Sequence, residues 1–435
     1  EPVGVRLDRD PYKELSSKGN PEWSALSRDP LRQRIARHLS ERERAFSENL
    51  AASQDSPRIA IDWKGWASRL QPKVSNEPVV SVVIPTLNHL EDVVLTIDSI
   101  ERAADSTPLE IILVDDGSAD EVAEVFNRIS GIQLVRHEAN RGYADACSTG
   151  ITRARGRYLM LLNNDVEVVD GWLDSLVETL NTDPEIGAAG SMLVRPDNRL
   201  QEAGVIIWSD GTGWQYGNGL SPFDPRFRTR RVVDYCSAAS LLVRRSLWDE
   251  VGGFDPDFKP AYYEDSDLCM TIARLGKKVV YEPNSVVFHN EGSSHGTSPQ
   301  GLKRHQFINQ ETFKAKWADE LSKREPVPQR GPTPEMVLRA ANRETKPIIL
   351  IIDHKELTPD SDSGSLRMHR IIEEFVRRDR HVIFHGVQGV TNESWSAEAA
   401  RLGVEVYGPD TPIEDVLRAH TETIEFVWLS RPNVL

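Results

Sequence analysis

The segment Tyr158-Leu159-Met160-Leu161-Leu162-Asn163-Asn164-Asp165 joins an apolar run of buried-strand character to two amides and a carboxylate. Hydrophobic burial gives no reason for such an ending. In an open α/β sheet the carboxyl ends of strands face the ligand crevice, and oxygen donors placed there suit a hard divalent cation carrying a diphosphate. Three further groups stand at comparable places: Asp115-Asp116 ends a strand, Glu264-Asp265 opens a helix, and His289 ends a late strand. Each has a plain alternative. The aspartates can precede a capped helix, Glu264-Asp265 can be first-turn carboxylates favoured by the helix dipole, Asn163 to Asp165 can be a polar turn, and His289 can be structural. Their joint occurrence, in this order, points to one site.

The elements that must position these groups alternate. Val79 to Ile84 reads as a strand ended by Pro85, and Leu90, Val93, Val94, Ile97 and Ile100 follow at helical spacing. Glu110 to Val114 is the next strand. Ser118 with Glu121 forms a capping box for a helix to about Ile129. A strand at Ile132 to Arg136, a helix at Tyr143 to Ala154 and a strand at Tyr158 to Leu162 complete the series. This alternation implies βαβ units and a largely parallel sheet. Beyond Asp165 the pattern changes to a helix at Trp172 to Leu180, then Gly-rich short strands and turns. Helices at Arg245 to Val251, Glu264 to Leu275 and Lys303 to Trp317 enclose short strands at Val279 to Tyr281 and Val286 to Phe288.

Residues 1–77 are charged and helical in pattern, with Leu31, Ile35, Leu39 and Phe46 near one face, which suits packing on the next domain or on a partner. Prolines among charges mark 322–345 as a linker. A second α/β series fills 346–435, with strands at Ile348 to Ile352, His381 to Phe384, Val404 to Tyr407 and Glu425 to Leu429: about half of a Rossmann-like domain. The chain of 435 residues has no initial Met and reads as a segment of a longer protein. Its net charge of −15 argues against nucleic-acid binding. Three cysteines without pairing or metal-ligand spacing suit reduced thiols in the cytosol. No apolar run approaches the roughly 18 residues of a membrane span.

The ordered set resembles the inverting glycosyltransferases of family 2, of the α/β GT-A fold, over about Pro78 to Trp317. The matching pieces are Val83-Ile84-Pro85-Thr86-Leu87-Asn88, Val114-Asp115-Asp116-Gly117-Ser118, Asn140-Arg141-Gly142, Leu161-Leu162-Asn163-Asn164-Asp165, Val251-Gly252-Gly253-Phe254-Asp255, Tyr263-Glu264-Asp265-Ser266-Asp267-Leu268 and Val287-Phe288-His289. The strand end Asn-x-Asp is similar to that of the bacterial rhamnosyltransferase-like and O-antigen biosynthesis branch. The resemblance implies a GT-A domain over 78–321 and a nucleotide-activated sugar as donor. Pro85, Thr86, Asn88 and Asp115 or Asp116 would line the nucleoside pocket. Asn140, Arg141 and Gly142 would lie near the ribose or sugar, with Asn163 and Asn164 on the donor side. Asp165 would hold Mn²⁺ or Mg²⁺, joined by His289. Asn163, where Asp is usual, offers only an uncharged amide oxygen. Asp265 would be the general base, with Glu264 as the alternative or as a group orienting the acceptor. Gly252, Gly253, Phe254 and Asp255 would form an acceptor-side wall. Trp208, Trp214, Tyr216 and Tyr262 would stack on sugar rings or pack the core.

Ile352-Asp353-His354 and Pro359-Asp360-Ser361-Asp362-Ser363-Gly364-Ser365 resemble the start of a GT-B glycosyltransferase of family 4. No Gly-rich dinucleotide fingerprint follows the strand, which argues against a dehydrogenase half. The expected protein is a metal-dependent inverting glycosyltransferase that builds bacterial surface polysaccharide on a saccharide or lipid-linked saccharide. It would be cytoplasmic, with a lipid-linked acceptor drawing it to the inner membrane face beside other polysaccharide-assembly enzymes. The rival readings are a non-catalytic nucleotide-sugar-binding or scaffold module and a sugar-nucleotide pyrophosphorylase. The latter should carry a Gly-rich, Arg-containing loop where Pro85-Thr86-Leu87-Asn88-His89 stands.

Overall fold

The structure is a computed structural model that describes residues 29–51, 61–119, 121–290, 303–327, 334–341, 346–389, 392–420 and 424–430. Of the expected N-terminal extension, residues 1–28 and 52–60 lie outside this set. Strands β1 (Val80–Thr86), β2 (Leu109–Asp115), β3 (Ile132–Arg136) and β4 (Tyr158–Leu162) alternate with helices Leu90–Arg102, Val122–Phe126 and Tyr143–Ile151. They pair in parallel in the order β4-β1-β2-β3. Successive strand residues face opposite sides of a sheet. Accordingly Val83, Ile112, Leu159 and Leu161 enter one core, and Val82, Ile84, Leu113, Met160 and Leu162 the other. Burial on both faces is why these strands read as unbroken apolar runs.

The chain then adds β5 (Val166–Val168), β6 (Ile186–Val194), β7 (Leu200–Glu202), β8 (Val205–Ile207), β9 (Gly213–Gln215), β10 (Arg231–Val232), β11 (Ser240–Arg244) and β12 (Lys278–His289). The main sheet has the order β10-β12-β6-β11-β4-β1-β2-β3, with β5 on β12 and β7 on β6. It is mostly parallel, as expected, with β11 inserted antiparallel to both β4 and β6. The two short strands expected at 279–281 and 286–288 are one. Strand β6 continues alongside, and the register shift between Glu282 and Val286 accommodates Pro283.

Two further expectations are corrected. Pro85 does not end β1, which continues to Thr86. Pairing with β4 stops at Val83, so Pro85 lies where the strand has a partner only in β2. Nor do Ser118 and Glu121 form a capping box: the helix starts at Val122, ends at Phe126 and has no side-chain cap. The Ser118 hydroxyl instead accepts from the Asn88 N–H at 2.6 Å, and Glu121 pairs with Lys64.

Helix Pro30–Ala51 lies against the main sheet through buried Leu31 and Ile35. Within the segment expected as a linker, Pro334–Ala341 is helical and buries Ala340 and Ala341. Strands β13 (Ile348–Asp353), β14 (His381–Gly386), β15 (Val404–Tyr407) and β16 (Ile424–Leu429) form a separate parallel sheet in the order β15-β14-β13-β16. By sequence that is 3-2-1-4, the order of a Rossmann half. Among the described residues no helix is long and apolar enough to cross a membrane.

Candidate active site

The end of β4 is tied down on three sides. The Asn163 N–H donates to the Ala239 carbonyl (3.1 Å) just before β11. The Asn164 side chain donates to Thr86 Oγ1 (3.1 Å) at the end of β1. The Thr96 hydroxyl lies 2.8 Å from the Asn164 carbonyl and 2.7 Å from that of Val166. The turn so held puts Asp165 Oδ1 3.3 Å from His289 Nε2, at the end of β12. His289 Nδ1 lies 3.1 Å from Gln201 Oε1. An Nδ1–H donating to that oxygen turns the Nε2 lone pair toward Asp165, the arrangement of a metal-ligating histidine with its outer hydrogen bond. Adjacent ligands of an octahedral cation at ~2.1 Å stand about 3 Å apart, so the pair fits one. Among the described residues no cluster of three His, Cys, Asp or Glu forms a cage. A corner of few protein ligands suits Mn²⁺ or Mg²⁺ shared with a diphosphate. Half-buried Asn163 borders it.

On the donor side the two aspartates differ. Asp116 Oδ1 accepts from His137 Nδ1 (2.6 Å) and the Arg141 N–H (2.9 Å), and Oδ2 accepts from the Gly142 N–H (2.8 Å). Its oxygens shape the 140–142 loop. Asn140 Oδ1 accepts from the same Gly142 N–H at 2.9 Å. Asp115 is fully buried; Oδ1 accepts from the Ser118 N–H (2.8 Å). Its Oδ2 faces Arg136 Nε at 3.3 Å without a hydrogen bond. A buried carboxylate oxygen lacking a donor is where a ligand N–H would be welcome. Asn88, with φ of 61°, accepts from the Ala119 N–H through Oδ1 (2.8 Å) and so joins the β1 and β2 loops. Gly142 has φ of 93°, and a Cβ there would meet the Pro260 carbonyl oxygen at 2.8 Å. The 140–142 loop therefore touches the segment that carries the acidic pair.

That pair begins helix Glu264–Arg274. Tyr262 and Tyr263 precede it with φ of 76° and 73°, left-handed values that cost bulky residues about 1–3 kcal/mol each. The surroundings hold them there. Buried Asn309 donates through Nδ2 to the carbonyls of Phe258 (2.8 Å), Ala261 (3.0 Å) and Tyr262 (2.9 Å). Tyr263 donates to the Gly211 carbonyl (3.1 Å) and packs on Phe313. Asp265 is half-buried: Oδ1 accepts from the Ser266 N–H (2.7 Å) and Oδ2 from the Ala238 N–H (3.3 Å). Glu264 is buried, and its Oε2 makes no hydrogen bond. Burial, and then the Asp265 charge, push the Glu264 carboxyl up to about 8. Burial also raises Asp265. Ala238 and Ala239 thus connect the Asp265 carboxylate to the backbone of Asn163, two residues before Asp165.

The model of the family "Glycosyl transferase family 2" matches residues 81–252. An uncharacterized protein of Sinorhizobium fredii is 31% identical over 63% of this chain and 31% of its own length. The O-antigen biosynthesis protein RfbC of Myxococcus xanthus is 29% identical over 58% of this chain and 20% of its own. The N-acetylglucosaminyl-diphospho-decaprenol L-rhamnosyltransferase of Mycobacterium tuberculosis is 28% identical over 51% of this chain and 78% of its own. The chain thus spans less than a third of the first two relatives. Among solved structures, GalNAc-T7 with UDP, GalNAc and Mn²⁺ has 20% identity and a TM-score of 0.47, over 56% of this chain and 50% of that one.

The remaining expected residues have mainly local work. Gly252 closes helix Arg245–Val251 with φ of 82°. Gly253, also left-handed, lies against Trp248. Phe254 is buried between Tyr143 and Trp248. Asp255 caps the turn Pro256–Phe258 and pairs with Lys316 at 2.6 Å. Of the aromatics offered for sugar stacking, Trp208 and Tyr216 are buried in the core, because β8 and the segment after β9 fold onto the main sheet. Sequence reasoning missed Gln201, Asn309 and the Ser237-Ala238-Ala239 segment. Gln201 and Asn309 act through other groups, and the segment acts through its backbone; none has a side-chain signature of its own.

Proposed function

We propose that this chain is a metal-dependent inverting glycosyltransferase that takes a sugar from a nucleotide-diphosphate donor and adds it to a saccharide or lipid-linked saccharide of a bacterial surface polysaccharide. The observation that supports this reading is the Ala238-Ala239 bridge, which links the Asp265 carboxylate to the backbone at the end of β4, beside Asp165. The nucleoside would lie over Pro85 and Thr86, with Asp115 Oδ2 accepting a ring N–H. The 140–142 loop, held by Asp116, would present backbone and the Arg141 charge to the ribose and sugar. Asp165 and His289 would hold Mn²⁺ or Mg²⁺, with Asn163 as a neutral neighbour. The bound ion would supply charge neutralisation on the departing nucleotide diphosphate. The acceptor hydroxyl would attack the anomeric carbon from the side opposite that diphosphate while Asp265 takes its proton. Bond formation and departure on opposite faces invert the anomeric centre.

The names of the O-antigen and rhamnosyl-transferring relatives support the polysaccharide class and a lipid-linked acceptor. Such an acceptor would bring the cytoplasmic protein to the inner membrane face. The 3-2-1-4 strand order supports reading 346–435 as the first half of a GT-B domain. The test is donor hydrolysis and nucleotide-induced thermal stabilisation across sugar nucleotides, with and without Mn²⁺. Turnover with one donor class and a metal requirement are expected. No turnover with any donor, and no stabilisation by nucleotide with metal, would leave the scaffold reading.

A further inference from the structure

Helix Pro30–Ala51 lies outside the segment matched to the family, and it grips the two strands that carry the cation corner. Arg34, His38 and Arg42 are spaced by four and so share one helical stripe. Arg34 Nη2 donates to the Asn284 carbonyl of β12 at 2.6 Å. The His38 ring stacks on Phe288, centroids 5.4 Å apart and planes 9° apart, one residue before His289. Arg42 Nε donates to both oxygens of Glu167, at 2.7 and 2.9 Å, two residues after Asp165. Phe288 and Glu167 are register partners in the β12–β5 ladder. One stripe of the helix therefore holds both members of that pair.

The contacts are dry. Arg42, Glu167 and His38 are all buried, and Arg102 Nη2 stands 3.9 Å from Glu167 Oε2 as a second cation. Breaking one partner of a buried ion pair leaves a charge that the interior resolves by moving. Here the strand that would move begins at Val166, directly after Asp165.

We propose that Arg42, through Glu167, is a positioning residue for the cation corner, and that the N-terminal helix belongs to the catalytic unit rather than serving as a tether. The proposal rests on the metal reading of Asp165 and His289. Partners behind metal ligands are worth about 10- to 100-fold in affinity.

The test is calorimetric Mn²⁺ titration of the whole chain with saturating nucleoside diphosphate. Arg42→Met is expected to raise the Mn²⁺ Kd about 10-fold. The double variant R42M/E167M, which replaces the buried pair by apolar volume, should keep the fold and still bind Mn²⁺ weakly. Arg37→Met is the control: on the same helix it removes the exposed ion pair to Asp170 and should leave Kd within about twofold. A folded R42M/E167M protein that binds Mn²⁺ like the parent overturns the inference while the metal reading stands. An equal loss in R37M would reduce the helix to general support and also overturns it. A parent that binds no Mn²⁺ with any nucleotide defeats the metal reading, and the inference with it.

Discussion

Glu264 keeps its proton to about pH 8, through burial and the adjacent Asp265 charge. Glu264→Gln mimics the protonated form and should retain transfer within about 10-fold, whereas Asp265→Asn should abolish transfer and leave nucleotide–metal binding intact. Near-normal turnover in Asp265→Asn would remove it as the base. The stability consequence has a definite sign. A carboxyl raised from 4.5 to about 8 contributes stability fully below pH 4.5, and that contribution is lost as pH rises to 8. Stability of the parent should fall there by up to about 1.4 kcal/mol per pH unit, and Glu264→Gln should flatten the slope; an unchanged slope in urea titrations would count against the shift. At the cation corner, Asp165→Ala should weaken Mn²⁺-dependent nucleotide binding much more than Asn163→Ala, because only the carboxylate brings charge; calorimetry giving the reverse order would reassign the ligand. The closeness of Asp165 and His289 was legible in the sequence because a carboxylate and an imidazole that follow or end apolar runs have no hydrophobic reason to be there. Gln201 was not, since its work is to orient another side chain.

Elements bring these groups together, and helix Lys303–Lys316 does so from a distance. Its Asn309 amide satisfies three carbonyls of the 258–262 segment that ends in two left-handed tyrosines. Asn309→Ala leaves those carbonyls without their donor at a buried site, so a stability loss of about 2 kcal/mol is expected. The freed segment should also misplace Asp265, lowering kcat with donor KM little changed. Denaturant titration and kinetics together check this; a variant that is destabilised but catalytically normal would confine Asn309 to structure. The β1-to-β4 alternation was legible because strands buried on both faces and helices of ordinary length announce themselves by period. Strand β11 and the continuity of β12 were not. β11 is short and gains its place only from antiparallel pairing with β4 and β6, and Pro283 falls in a register shift that β12 spans as one strand beside β6. Ser118 illustrates the same limit. Its spacing to Glu121 fits a cap, yet a tertiary partner, the Asn88 N–H, takes the hydroxyl.

Among the described residues the 10-stranded and 4-stranded sheets are the two largest, and the residues proposed for the donor, cation and base positions come from the strands, loops and helices around the first. The second sheet approaches it where β15 passes the turn Pro225–Phe227, and at the Asp29 N–H, which donates to Glu393 Oε2 at 3.1 Å. Asp29 also pairs with Arg228 at 2.7 Å, so the start of the N-terminal helix keeps an anchor on the first sheet if Glu393 is removed. The core beneath Pro225–Phe227 is likewise internal to the first unit: Phe227 is buried against Tyr216, and the Tyr281 hydroxyl donates to its carbonyl. A chain ending at residue 345 should therefore fold, with nucleotide–Mn²⁺ affinity within about threefold of the parent, a change under 1 kcal/mol. Its melting temperature should drop, because the packing of β15 on the turn Pro225–Phe227, that of helix Ile413–His420 on helix Pro334–Ala341, and one hydrogen bond are lost. Calorimetry on the shortened chain decides the matter. A folded product that no longer binds nucleotide with Mn²⁺ would make the second sheet part of the donor site and would move the search for missing ligand contacts to the loops after β13 and β14.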